Sequence, residues 1–424
     1  MWPAGVTPAD GPVVVVGGGP AGLACAIELR RLGIVDVVVL EREAHAGGIP
    51  RHCGHQGFGA RDLHRLMAGP RYARRYVEHA RSAGVSVEQE TMVTGWSAAG
   101  ELELTSPSGR TRVAPAAVVL TTGCRERPRA ARLVAGSRPA GVMTTGTLQQ
   151  LVYLGGERIG GRALIVGAEH VSFSALLTLS HAGAKVIGMV TELPRHQSLA
   201  AVRAAAAVRF RVPLWTRTAV TAIRGHPRVE AVELEHLDSG ARRAVSCASV
   251  VFTADWIPDL ELAATGGVEL DPGTRGPRTD TALRTARAGV FAAGNVLHGA
   301  EPADVAALSG RHAAGSVARW LADRGDWPAA AVPITCRAPL QWISPNAIAP
   351  AREAPPRGRF LLRCATFLRR PELEIRQDAR VLWRKTIARV GPGRSVGLPA
   401  DWRARIDPGG GPIELAVVQS RAHA

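Results

Sequence analysis

Residues 13–22 read Val13-Val14-Val15-Val16-Gly17-Gly18-Gly19-Pro20-Ala21-Gly22, and Glu41 closes a second apolar run at 37–40. Four consecutive β-branched residues predict a strand buried on both faces. The pattern over 21–32 is helical and stops at Gly33. Strand, helix and strand in that order make one βαβ unit. Each glycine between the first strand and the helix has its own task. Gly17 permits the tight turn, Gly19 lets backbone approach a pyrophosphate, and Gly22 allows the helix to pack closely on the strand. The helix start offers unpaired N–H groups and a partial positive charge to phosphates. Glu41 stands where an acid accepts hydrogen bonds from a ribose. The stretch therefore predicts a dinucleotide site.

Working outward, 61–83 reads as helical with a break near Gly69-Pro70. Strands are expected over 86–94 and 101–112, the latter turning at Ser108-Gly109, and over 117–122, ending at Gly123. A second βαβ pattern follows: strand 163–166, helix 170–181, strand 185–190. Further strands and turns fill 213–252, with a strand at 289–293 and a helix over 302–322. Past Asp326 helical periodicity gives way to alternation. Strands are expected over 359–364, 372–376, 381–385 and 412–417, with a hairpin turn at Asp378-Ala379. The fold class expected is α/β: two dinucleotide-binding, Rossmann-like domains, the second inserted in the first, plus a small C-terminal β-rich domain. The boundaries read as 1–145 with 252–328, then 146–251, then 329–424.

The formal charge is +16, but only Lys185 and Lys385 are lysines and the arginines are spread along the whole chain. That distribution reads as a solvated surface rather than a nucleic-acid footprint, with attraction of anionic substrates or an acidic partner as the alternative. Six cysteines, none spaced as CxxC, argue against a sequence-local redox pair and against a zinc ribbon; no metal site is expected. The pattern suits a reducing cytoplasm. No run of eighteen apolar residues predicts a transmembrane helix. Residues 1–12 do not read as a signal peptide.

Four motifs occur in one order: Gly17–Gly22 with Glu41, then Gly47-Gly48, then Leu120-Thr121-Thr122-Gly123, then Val290-Phe291-Ala292-Ala293-Gly294-Asn295. In these the chain resembles the NAD(P)/FAD-dependent, or pyridine nucleotide-disulfide, oxidoreductases. The resemblance covers roughly 13–323 and implies an FAD-dependent oxidoreductase. It implies that Gly17, Gly19, Pro20, Ala21 and Gly22 hold the pyrophosphate. Glu41 and Arg42 would lie at the ribose, Gly48 and Ile49 beside the cofactor, and Val93 at the adenine. Thr122 and Gly123 would end the middle motif, and Gly294 and Asn295 would meet the ribityl chain and phosphates. The family usually has Asp after that last glycine; Asn295 still donates and accepts hydrogen bonds. The N–H groups around Val305 to Ala307, including Ala306, would face the flavin pyrimidine ring.

The second loop, Gly167-Ala168-Glu169-His170-Val171-Ser172, keeps only its first glycine. A carboxylate about 4 Å from a phosphate charge costs about 4 kcal/mol at an effective dielectric of 20. NAD(P) binding is therefore doubtful, and Glu169 is read as capping its own helix. Glu192 argues the other way, since it ends the second strand where a ribose acid belongs. The run Gly48-Ile49-Pro50-Arg51-His52-Cys53-Gly54-His55 resembles flavoprotein subunits linked to glycerol-3-phosphate dehydrogenase-like and amine, opine and proline oxidase complexes. Segments 124–128 and 167–173 share that resemblance. His52 and His55, with Arg51, are candidates for anion binding or proton transfer, the alternative being phosphate contacts or turn caps. Cys53 is a candidate reactive thiol, the alternative being packing. His298 and Glu301 flank the late motif and are further candidates; His312 is expected to face helix neighbours.

The function expected is hydride transfer from a small amine or hydroxy acid to flavin, with electrons passed onward. The alternatives are an NAD(P)H-dependent reductase of a partner protein and a non-catalytic or electron-transfer subunit. The expected kind of partner is a second dehydrogenase or an iron–sulfur protein.

Overall fold

The structure is a computed structural model and describes residues 11–299, 301–323, 327–328, 331–349 and 353–422. Residues 1–10, part of the stretch read for a signal peptide, lie outside it. Its first sheet is all parallel and five-stranded, in the order Val290–Ala292, Ala117–Leu120, Val13–Val16, Val37–Leu40, Ser86–Glu88. Val13–Val16 is central and wholly buried, as four β-branched residues in a row require. Burying each valine contributes about 1.5–3 kcal/mol. Helix Pro20–Arg31 follows, with Pro in its first turn, where a missing N–H costs nothing. Helix Ala303–Ala322 lies along it, and Gly310 makes the approach possible: a Cβ there would sit 2.0 Å from the Ala21 carbonyl oxygen.

The second sheet is also parallel, ordered Val142–Thr144, Ser249–Phe252, Arg162–Val166, Lys185–Val190, Leu214–Trp215. It carries helices His170–His181 and Ala200–Phe210. The chain leaves the first sheet after Ala117–Leu120 and returns to it at Val290–Ala292, so the second unit is inserted in the first. Cys124–Glu126 and Trp256–Pro258 pair antiparallel and carry the two crossings side by side.

From residue 331 on, the described residues form strands and turns, with two short 3-10 helices, Pro356–Gly358 and Asp401–Arg405. Val332–Cys336, Leu368–Gln377, Arg380–Thr386 and Ile413–Ala422 belong to one sheet, and Leu340–Ser344, Arg359–Cys364 and Val396–Pro399 to another. They share a core that includes Phe360, Leu373, Ile375, Trp402 and Leu415. The hairpin turns at Asp378, which takes φ 51.

Three expectations change. The helix expected over 61–83 is only Gly69–Ser82. Asp62 is drawn inward to accept bonds from the Tyr72 and Tyr76 hydroxyls at 2.5 and 2.7 Å, which holds the preceding segment in turns. The strand expected over 86–94 is split into Ser86–Glu88 and Met92–Trp96, with Glu90 at φ 53 between them. Helix Ala200–Phe210 has no counterpart in the sequence reading; its start carries no capping side chain and no acidic residue to mark it.

Candidate functional site

The first loop turns through Gly17 at φ 108, and a Cβ at Gly22 would lie 2.0 Å from the Gly17 oxygen. Gly19 differs. A Cβ there would meet nothing nearer than the Gly48 Cα at 3.9 Å, so open space faces the backbone. The helix that begins at Pro20 has no side-chain cap. The N–H groups of its first turn have no intrahelical acceptor. Glu41, 8% exposed, accepts from the Gly18 N–H at 2.9 Å and the Glu43 N–H at 2.9 Å. Burial pushes its carboxyl up from the usual range, and those two bonds oppose the rise. Segment 90–93 lies beside it, with the Thr91 N–H donating to the Glu41 oxygen. Val93 is partly buried on that hairpin. Arg42 reaches Asp259 at 3.3 Å. Thr121 donates to the Val16 oxygen and Thr122 to the Asp259 oxygen, with Gly123 at φ 78 closing the strand end.

Gly48, at φ 61, faces Gly19, and the chain then forms the short turn Ile49–His52. Ile49 is 51% exposed. Arg51 turns away to Glu43, at 2.7 Å. His52 is buried with neither ring nitrogen partnered, and burial pushes its imidazole down to about 4. Cys53 faces the Ile49 oxygen and Gln149 Oε1, both at 3.4 Å, and burial pushes its thiol up to about 12. A buried, protonated thiol packs and does not attack. His55 sits on a turn with Nδ1 against the Gln56 oxygen. The turn thus does not bring His52, Cys53 and His55 together as one catalytic group.

The late motif lies across the sheet edge. Gly294, at φ 77, approaches Ala21 so closely that a Cβ would meet its Cβ at 2.6 Å. The Asn295 amide donates to the Glu301 oxygen at 3.2 Å and accepts from the Glu301 N–H at 3.0 Å. A carboxylate cannot make the first of these bonds, which gives Asn a local reason. Ala306 and Val305 line an open cleft that also includes Asn295, His298 and Glu301. His298 stacks on Trp342 at 4.7 Å, and Glu301 binds Arg363 at 3.3 Å and Ser395. His312, further along the same helix, meets the Thr281 oxygen at 2.8 Å.

Reading from motifs missed Glu126, on the first crossing strand. It is 8% exposed, accepts from the Gly146 N–H at 2.6 Å, and burial raises its carboxyl to about 7. Nothing in its local sequence marks it, since its burial is created by the meeting of the two sheets.

The second loop repeats the turn, with Gly167 at φ 140, but closes on itself. Glu169 and Ser172 form a capping box at the start of His170–His181. The Glu169 carboxylate accepts from the Ala168 N–H at 3.0 Å, from Ser172 at 2.8 Å and from Thr253. The helix start that the first loop leaves uncapped is capped here by the chain's own carboxylate.

The sequence pattern of the pyridine nucleotide-disulphide oxidoreductases matches residues 11–310. The chain belongs to this family. It is an FAD-dependent oxidoreductase with two nucleotide-fold units. A thioredoxin reductase of Treponema pallidum (strain Nichols) is 25% identical over 304 residues, covering 68% of this chain and 89% of that protein. One subunit of the opine oxidase of Agrobacterium tumefaciens (strain Ach5) is 26% identical over 330 residues, covering 71% of this chain but only 64% of that polypeptide. The solved thioredoxin reductase of T. acidophilum superposes with a TM-score of 0.61 at 23% identity, over 73% of this chain and 98% of that one. The L-proline dehydrogenase structure from P. horikoshii gives 0.56 at 16%, over 74% of this chain and 56% of that one, a likeness of fold. The family match ends before the C-terminal sheets begin. Among the described residues no helix is long and apolar enough to cross a membrane, and no cluster of metal ligands occurs.

Proposed function

We propose that this chain oxidises a small organic amine or hydroxy acid at its FAD and passes the electrons to a partner protein rather than exchanging them with NAD(P)H. The observation that carries this reading is the contrast between the two loops. The same turn is uncapped in the first unit and filled by Glu169 in the second. Any nucleotide phosphate at the second loop has to displace a buried carboxylate from its cap and hydroxyl partners.

FAD fits the first loop, because the space beside Gly19 accepts a pyrophosphate where a Cβ would intrude. When bound, FAD supplies the hydride-accepting chemistry. Gly17, Gly19, Pro20, Ala21 and Gly22 would hold its phosphates, and Glu41 with Arg42 its ribose side. Gly48, Ile49, Val93, Thr122 and Gly123 would flank it, and Gly294, Asn295 and Ala306 would border its ring end. His52, neutral and unpartnered, offers a hydrogen bond rather than a charge. In this reading 1–145 with 252–328 forms the FAD domain, 146–251 keeps the nucleotide fold without its ligand, and 329–424 covers the ring end. Six free cysteines suit a reducing cytoplasm.

Similarity to one polypeptide of an opine oxidase supports a place in a multi-subunit oxidase, where the partner would be a second dehydrogenase or an iron–sulfur protein. The competing reading is an NAD(P)H-dependent reductase. It draws on family membership and on Glu192, which is exposed at the end of Lys185–Val190. Calorimetric titration of NADH and NADPH into the FAD-loaded protein separates the two. The first reading predicts no saturable binding up to about 1 mM. Micromolar affinity for either nucleotide sinks it.

A further inference from the structure

The cleft before helix Ala303–Ala322 has walls of two origins. Asn295, His298, Val305 and Ala306 belong to the FAD unit, whereas Pro345, Arg357, Arg359 and Leu361 come from the C-terminal sheets, beyond the family match. The charges around it are unequally matched. Asp304 is taken by Arg61 at 3.0 Å, and Glu301 by Arg363 at 3.3 Å. Among the described residues Arg357 and Arg359 have no ion-pair partner. Burial lowers the Arg357 guanidinium below its usual range, the nearby charges of Arg359 and Arg61 add to this, and those of Asp304 and Glu301 oppose it. Those two carboxylates are already engaged by Arg61 and Arg363, so Arg357 and Arg359 keep donors that a bound anion can take up.

A second, independent feature lies in the same cleft. His298 is 8% exposed, and its Nδ1 is buried without a hydrogen-bond partner. Burial, with Arg363 nearby, holds the ring neutral. A buried polar nitrogen left unpaired in a protein costs about 1–3 kcal/mol unless a ligand satisfies it.

We propose that this cleft binds the carboxylate of a small amino or hydroxy acid through Arg357 and Arg359, with His298 hydrogen-bonding the same molecule. The inference rests on the proposed oxidation at FAD, and it narrows the substrate to one that carries an anionic group. Guanidinium suits the task because its planar donors match both oxygens of a carboxylate. Specificity then resides in the C-terminal domain, while the first unit supplies the redox group.

The test uses the FAD-loaded full chain and the probe benzoate, with neutral benzamide as control. Binding is read by calorimetry and by the shift of the visible flavin band. The wild type should bind benzoate saturably and ignore benzamide. Arg357→Gln with Arg359→Gln should weaken benzoate by about tenfold or more. Both side chains are exposed, so FAD content and melting temperature should hold, and Arg359→Lys should restore part of the affinity lost in Arg359→Gln. A yellow wild type that does not bind benzoate overturns this inference alone, as does a double variant that binds it unchanged. A protein that cannot take up FAD overturns both this inference and the reading beneath it.

Discussion

Gly19 and Gly48 face each other across the first loop, and the space between them is where a side chain would project. Gly19→Glu should therefore abolish FAD uptake, through both bulk and a negative charge placed against phosphate. Flavin content after refolding with excess FAD measures it, and a variant that stays yellow removes FAD from this loop. Glu126 gives a second prediction. Its carboxyl titrates near 4.5 when unfolded and near 7 when folded. Between those values the folded state keeps a proton that the unfolded state has released, so stability falls as pH rises through the window. The loss approaches about 3 kcal/mol above pH 7. Denaturant midpoints from pH 4.5 to 7.5 should slope downward for the wild type and flatten for Glu126→Gln; parallel curves contradict the assignment. Gly17 and Gly22 are legible in the sequence because they act on their immediate neighbours. Glu126, Arg357 and Arg359 are not, because their surroundings come from segments distant in the chain.

Helix Ala303–Ala322 owes its position to one residue. A Cβ at Gly310 would overlap the Ala21 oxygen, in the helix that starts at the pyrophosphate loop. Gly310→Val should push the two helices apart and cost about 1–3 kcal/mol or more. Because Ala21 opens the FAD loop, the variant should also lose flavin. Melting temperature and flavin content should fall together; a fall in neither shows that the helices tolerate separation. Most elements are evident from periodicity: Val13–Val16, Val37–Leu40, His170–His181 and Arg359–Cys364 lie where the pattern puts them. The exceptions have physical causes. Asp62 is held by two tyrosines from the next helix, and helix Ala200–Phe210 begins without a capping side chain.

Across the molecule, the C-terminal sheets touch both nucleotide units. Arg363 and Ser395 meet Glu301 beside the first helix–loop site. On the other side, Phe367 receives the Arg195 guanidinium at 4.1 Å, and Gly393 lies against Gln197. The Gln197 N–H in turn donates to the Ala168 oxygen within the second loop. The C-terminal part thus borders the open site and braces the segment over the closed one. Alternation predicts its strands, but no local pattern reveals which surfaces they cover. In the proposed reaction substrate, not nicotinamide, feeds the flavin. An anaerobic titration following the visible flavin band tests it most directly. NADH and NADPH should leave the band intact while an amino or hydroxy acid bleaches it. Rapid stoichiometric bleaching by either nicotinamide contradicts it.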